Sequence, residues 1–345
     1  MKPVFISSLF YVFMLVAQAG YAASESELTP ALENPGHEAQ PDWFKVSFLD
    51  LYEDVGEAAG NGKRLMVYFF QDGCPYCKKL LEDNFGQRAI SDKTRQYFDV
   101  VALNIWGDRE VTIGDRVLTE KAFAAALKVQ YTPTLLFFDE NHKVVFRANG
   151  YYPPQKFDVV LDYVGQHREK QLSFQDYLAQ VAPEPASGRL HDEITTLSNP
   201  LDLKHALNPG RHLLVMFEQR QCSSCDELHL DILQRPESRE LLKRFDIVVL
   251  DMWSDDGIVI PDGRKMKVRD WAKKLDIRYA PSLVYFNDQG EEVFRSDAWL
   301  KAFHIQSVMD YVSSNAYQRQ SNFQRYIDER ADHLREQGVV IDLMK

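Results

Sequence analysis

Leu65–Phe70 is an unbroken apolar run of strand length, consistent with a buried central strand. A segment of mixed charged and apolar positions follows, of helical character, through about Phe85. Tyr97 to Ile105 reads as a second strand, and Thr119 to Leu127 as a helix with Thr119 as its cap. Leu135 to Asp139 and Lys143 to Arg147 are two β runs around Glu140-Asn141-His142, which predicts a hairpin. A closing helix is expected over about Pro154 to Gln166. Strand, helix, strand, helix and hairpin in that order describe an α/β unit with a central sheet and helices on both faces.

The same pattern returns 148 residues later. Leu65, Val67, Phe69 and Gln71 match Leu213, Val215, Phe217 and Gln219. Phe138, Val145, Phe146 and Arg147 match Phe286, Val293, Phe294 and Arg295, and Asp162-Tyr163-Val164 matches Asp310-Tyr311-Val312. So many identities in one register mark an internal duplication. The units are expected at about 43–181 and 190–330. Between them, 182–189 contains two prolines, Ser and Gly with no apolar pattern, and reads as a linker. Residues 331–345 have no repeat partner and are read as a C-terminal tail. Each unit is long enough to bury a core without covalent staples, which leaves the four cysteines free for chemistry.

The N-terminus has a different pattern. Lys2 precedes an apolar stretch, Val4 to Val16, broken only by Ser7 and Ser8, and small residues follow from Ala17 to Ala23. This is the layout of a secretory signal over 1–23 with cleavage near Ala22 or Ala23; the alternative is an uncleaved anchor. Residues 24–42 then read as a leader segment. No later stretch reaches the ~20 apolar residues of a membrane span, so none is expected in the mature chain. A periplasmic or secreted location follows, where disulfides are permitted. The formal net charge of -11 argues against nucleic acid as a partner.

The duplication carries a chemical motif. Cys74 and Cys77 stand in Gly73-Cys74-Pro75-Tyr76-Cys77-Lys78-Lys79, and Cys222 and Cys225 in Gln221-Cys222-Ser223-Ser224-Cys225-Asp226-Glu227, again 148 apart. Disulfide exchange needs an exposed thiolate whose pKa has been lowered toward ambient pH. A cysteine placed just before a helix meets free backbone N–H groups and partial positive charge. Two intervening residues let a second thiol fold back and resolve a mixed disulfide. Cys74 and Cys222 are therefore the expected attacking thiols, and Cys77 and Cys225 the resolving ones. Lys78 and Lys79 should favour the first thiolate, whereas Asp226 and Glu227 should hold the second less well. Thr132-Pro133 and Ala280-Pro281 precede a β run at equal distances from their cysteines. Both suit a cis peptide in a tight turn, which would offer neighbouring backbone to a substrate strand.

Strand, C-x-x-C, helix and then Thr-Pro or Ala-Pro before a hairpin resemble the thioredoxin superfamily, twice, over most of the mature chain. Cys74-Pro75-Tyr76-Cys77-Lys78-Lys79-Leu80, Phe217-Glu218-Gln219 and the long segment from Gly107 to Thr119 are similar to the periplasmic SoxW-type thioredoxins. The resemblance implies two tandem thioredoxin-like domains and disulfide reduction, oxidation or isomerisation by exchange with partner proteins. There are departures. Where thioredoxins proper carry Trp before the first Cys, this chain has Gly73 and Gln221. Where they carry a buried acid six residues before it, Tyr68 and Met216 stand.

The implied partners are protein thiols and disulfides, with an upstream electron donor, and no cofactor is called for. Unlike dipeptides at the two sites suggest an electron relay between domains. Three rivals remain: a zinc site built from the two pairs, purely structural disulfides, and a non-catalytic binding scaffold. Zinc is disfavoured because each pair lies between a strand and a helix rather than on a knuckle turn, so no metal ligand is assigned. His229, one turn beyond Cys225, is a candidate proton acceptor but reads rather as a surface or helix-packing histidine. Trp106 and Trp253 read as core or rim aromatics.

Overall fold

The computed structural model describes residues 39–181, 186–199 and 201–341. The expected signal segment, nearly all of the leader, the first half of the linker and the last four tail residues lie outside them.

In the first half α1 (Leu51–Gly60) leads into β1 (Arg64–Phe70), α2 (Pro75–Lys79), α3 (Arg88–Tyr97) and β2 (Phe98–Asn104). A small hairpin of β3 (Glu110–Ile113) and β4 (Arg116–Thr119) precedes α4 (Glu120–Ala126). Then come β5 (Thr134–Phe138), β6 (Val144–Asn149), α5 (Pro154–Gly165) and α6 (Phe174–Val181). The second half runs β7 (His212–Glu218), α7 (Ser223–Leu230), α8 (Pro236–Leu242), β8 (Phe245–Asp251), the hairpin β9 (Gly257–Val259) and β10 (Lys265–Lys267), and α9 (Val268–Lys274). It closes with β11 (Ser282–Phe286), β12 (Glu292–Ser296), α10 (Ala302–Ser313) and α11 (Phe323–Glu336).

Each half builds one four-stranded mixed sheet, in the orders β2-β1-β5-β6 and β8-β7-β11-β12. The first two strands of each order run parallel and the others antiparallel. The apolar runs are unbroken because both sheet faces are covered. Along β1, Leu65, Val67 and Phe69 enter one core and Met66 and Tyr68 the other. Along β7, Leu213, Val215 and Phe217 part from Leu214 and Met216 in the same way. Thr119 caps α4 as expected, its hydroxyl accepting from the Ala122 N–H at 3.2 Å. The helix after Pro75 changes to a π-helical turn over Leu80–Phe85. The start of the tail is structural: Ala331 and Ile341 join the second half's core alongside Phe323 and Ile327 of the unit before it.

Both halves belong to a single compact unit of the chain, and they meet through matching residues. Asn149 donates to Asp297 at 2.9 Å, and Tyr151 forms an antiparallel β-bridge with Trp299. Residues 148 apart thus contact each other, the pattern of an isologous, two-fold interface. Gly150 permits it. Its φ is +71° and a Cβ there would stand 2.7 Å from that of Ala298, its own counterpart.

Candidate redox sites

Both C-x-x-C pairs sit where the central strand hands over to a helix. Gly73 takes the turn into the first with φ +74°, a left-handed conformation that glycine adopts without strain. Cys74 is the N-cap of α2, and its sulfur lies 3.0 Å from the Cys77 backbone N–H, which donates to it. Cys222 caps α7 identically, with the Cys225 N–H at 3.0 Å. A sulfur in this position receives one of the helix's otherwise unsatisfied donors, which would favour a thiolate there after reduction. In this structure each pair is closed as a disulfide.

The two prolyl loops stand close by. The Thr132–Pro133 and Ala280–Pro281 peptides are both cis. The Thr132 hydroxyl donates to Cys74 Sγ at 3.3 Å, and the Thr132 carbonyl oxygen lies at the same distance from that sulfur. Ala280 has no hydroxyl to offer Cys222. Trp106 and Trp253 occupy matching rim positions, their indole N–H groups donating to Gln71 and Gln219 at 2.8 and 3.2 Å.

Two expectations require correction. The cysteines expected to attack are not exposed: Cys74 and Cys222 are each 4% accessible. Nor does the charge contrast beside the two pairs act through free side chains. Lys79 pairs with Asp83, Lys78 with Glu82, and Glu227 with Lys301. Burial pushes the Asp226 carboxyl up, but hydrogen bonds from Ser187 and His191 outweigh it and hold the group below its ordinary range.

The cover over the first site comes from the second half. Tyr76, between the two cysteines, is 3% accessible. Its hydroxyl accepts the Lys301 backbone N–H at 3.1 Å, and its ring meets the His304 and Trp299 rings edge-on. Burial pushes the phenol well above its ordinary pKa and holds the His304 imidazole down at about 4. The prolyl loops are exchanged as well. Tyr131 inserts into the second half's core, where its hydroxyl donates to the Arg295 carbonyl at 3.0 Å. Tyr279 inserts into the first half's core against Tyr152, with the Lys156 ammonium 4.1 Å from its ring centroid. These tyrosines were not singled out in sequence. The available signal was their shared position, two residues before each proline.

A family model described as a thioredoxin-like domain matches residues 51–165 and again 200–313. A protein disulfide-isomerase of Hordeum vulgare is 25% identical over 171 residues, which is 49% of this chain and 29% of that protein's own length. Among solved structures, a thioredoxin-fold protein from Helicobacter pylori is 23% identical with a TM-score of 0.32, over 39% of this chain and 90% of that one. A thioredoxin from Thermus thermophilus is also 23% identical, with a TM-score of 0.28, over 33% of this chain and 83% of that one.

Proposed function

The chain belongs to the thioredoxin-like domain family in each of its halves, and from that premise we propose that it is a thiol–disulfide oxidoreductase. It exchanges disulfides with protein partners through Cys74/Cys77 and Cys222/Cys225. The observation that carries this reading is the twice-built N-cap: a helix-capping cysteine with a backbone N–H 3.0 Å from its sulfur and a second cysteine three residues on. A mixed disulfide forms when the first sulfur, as thiolate, attacks a partner disulfide and expels one partner thiolate. The second cysteine, as thiolate, then attacks the first sulfur and releases the other. Thr132, Pro133, Ala280 and Pro281 are the residues proposed to receive the partner's chain beside the sulfurs. The first half is the stronger catalyst in this reading, and the chain resembles the SoxW-type periplasmic thioredoxins. The N-terminal pattern supports export to the periplasm or beyond, with 1–23 as signal, 24–42 as leader, 43–181 and 190–330 as the two domains, 182–189 as linker and 331–345 as tail. An upstream donor keeps the sites reduced, and electrons pass between them.

The burial of both attacking sulfurs favours a second reading, a binding scaffold in which at most the first pair is redox active. Titration in thiol–disulfide buffers, with alkylation and mass spectrometry reporting each pair, separates the two. Reversible titration of both pairs within the range of known exchange proteins, about -120 to -270 mV, supports the oxidoreductase. Pairs that resist reduction until the chain unfolds would make it a scaffold.

A further inference from the structure

Among the described residues, one cluster of metal-ligating side chains lies outside the two sulfur pairs. His191 and His229 stack face to face in the second half, with ring centroids 4.6 Å apart and planes 9° from parallel. Both imidazoles are fully buried, while Glu193 beside them keeps 22% of its side chain in solvent. His191 Nδ1 lies 2.9 Å from Glu193 Oε2, and His229 Nδ1 lies 3.9 Å from the same oxygen. One ligand atom from each of the three residues falls within 4.8 Å of the other two.

The far side of each ring is held by a carboxylate. His191 Nε2 meets Asp226 Oδ1 at 2.8 Å, and His229 Nε2 meets Glu218 Oε1 at 2.5 Å. A carboxylate on the outer nitrogen fixes the tautomer and turns the inner nitrogen's lone pair toward a metal. His229 Nδ1 has no hydrogen-bond partner among the described residues, although its side chain is wholly buried. A network built only to stabilise the fold would be expected to satisfy that atom. The fold does not need polar groups here. At the matching positions the first half places Phe70 and Leu81, packed on its core, where the second has Glu218 and His229.

We propose that His191, Glu193 and His229 form a mononuclear site for a divalent, borderline-soft transition ion such as Zn²⁺, with water in the fourth position. Two imidazoles, one carboxylate and an open position suit zinc's tetrahedral preference. At bond lengths of about 2.0–2.2 Å, ligand atoms around such an ion stand about 3.4 Å apart. The observed 2.9 and 3.9 Å bracket that spacing. Closing on the ion tilts the rings out of their parallel stack and replaces the His191–Glu193 hydrogen bond. Glu193, partly in solvent, provides the entry side. Asp226 and Glu218 are positioning residues.

The test uses the full chain with both cysteine pairs oxidised, so that no thiolate competes for metal. Zn²⁺ binding is followed by calorimetry and Co²⁺ binding by its visible absorption, with circular dichroism checking the fold of each variant. One equivalent should bind, giving the intense bands of a four-coordinate Co²⁺ site. His229→Gln and Glu193→Gln should each weaken Zn²⁺ binding at least 30-fold, and Asp226→Asn about 10- to 100-fold, as outer-shell losses do. Glu193→Gln alters a partly exposed residue and keeps the test decisive if His229→Gln fails to fold. No saturable binding below about 1 mM Zn²⁺, or affinity unchanged in folded Glu193→Gln, overturns the proposal. Because the cysteines stay oxidised, either result leaves the exchange reading untouched.

Discussion

Around its C-x-x-C helix the first half carries Phe70, Lys78 and Leu81 where the second carries Glu218, Asp226 and His229. The contacts around the sulfurs are nevertheless shared: a fully paired central strand, an N-cap cysteine and a helix N–H 3.0 Å from sulfur. The pair's geometry is set by the strand-to-helix handover, which any residue pattern with the right apolar alternation can build. The environment is set by side chains one turn away, which are free to differ. Two sites of one geometry in one chain can therefore serve unlike purposes.

The largest expected effect tests that asymmetry directly. Cys74→Ser should lower the rate of reduction of a protein disulfide by about 10³-fold or more, as loss of a nucleophile does, and Cys222→Ser should cost the full chain less. Equal losses would remove the distinction between the halves. Next is the cover over the first site. Tyr76→Ala should destabilise the chain by about 3 kcal/mol in urea unfolding, since a large buried ring is lost, and speed alkylation of Cys74 after reduction. Its counterpart Ser224→Ala should cost less than about 1 kcal/mol.

His304 gives the cover a pH dependence. Its imidazole titrates at about 4 in the folded chain against 6.5 ordinarily, because of burial. As pH falls below 6.5 the unfolded chain takes up a proton that the folded chain refuses. The stability is thus complete above 6.5 and lost as pH falls toward 4, at up to about 1.36 kcal/mol per pH unit and on the order of 3 kcal/mol in all. His304→Gln should flatten that part of a stability-against-pH curve, and an unchanged slope would show that other groups carry it. The smallest effect is Thr132→Ala. Losing the hydroxyl donor to Cys74 should slow alkylation of that thiol by about 2- to 10-fold, the range of one net hydrogen bond, whereas Ala280→Thr tests whether the second site gains by the same amount.

Much of the fold was legible in the sequence because the central strands are buried on both faces and their apolar runs are unbroken. The β5–β6 and β11–β12 hairpins, the Thr119 cap and α5 were visible through turn residues and periodicity, whereas the small β3–β4 and β9–β10 hairpins were not. Helices α1 and α3 were not, and neither was the full reach of α11, which carries the second half's core on to Ala331, at the start of the stretch with no repeat partner. The sulfur pairs were legible through spacing alone. Their burial was not, since it depends on Tyr76 meeting Trp299 and His304 more than 220 residues away. The histidine cluster was equally hidden: His191, Glu193, Glu218, Asp226 and His229 come from three separate segments, and no short motif joins them.

The contact between Asn149 and Asp297, repeated at Tyr151 and Trp299, has a kinetic meaning. Held in one chain, two surfaces see each other at an effective concentration of roughly millimolar, whatever the amount of protein present. Two separate domains with the same surfaces would close only where they were abundant. Here closure over the sulfurs is a property of each molecule, independent of dilution. A weak interface is then enough to keep the sites shut most of the time, and opening one requires no dissociation and no search to close again.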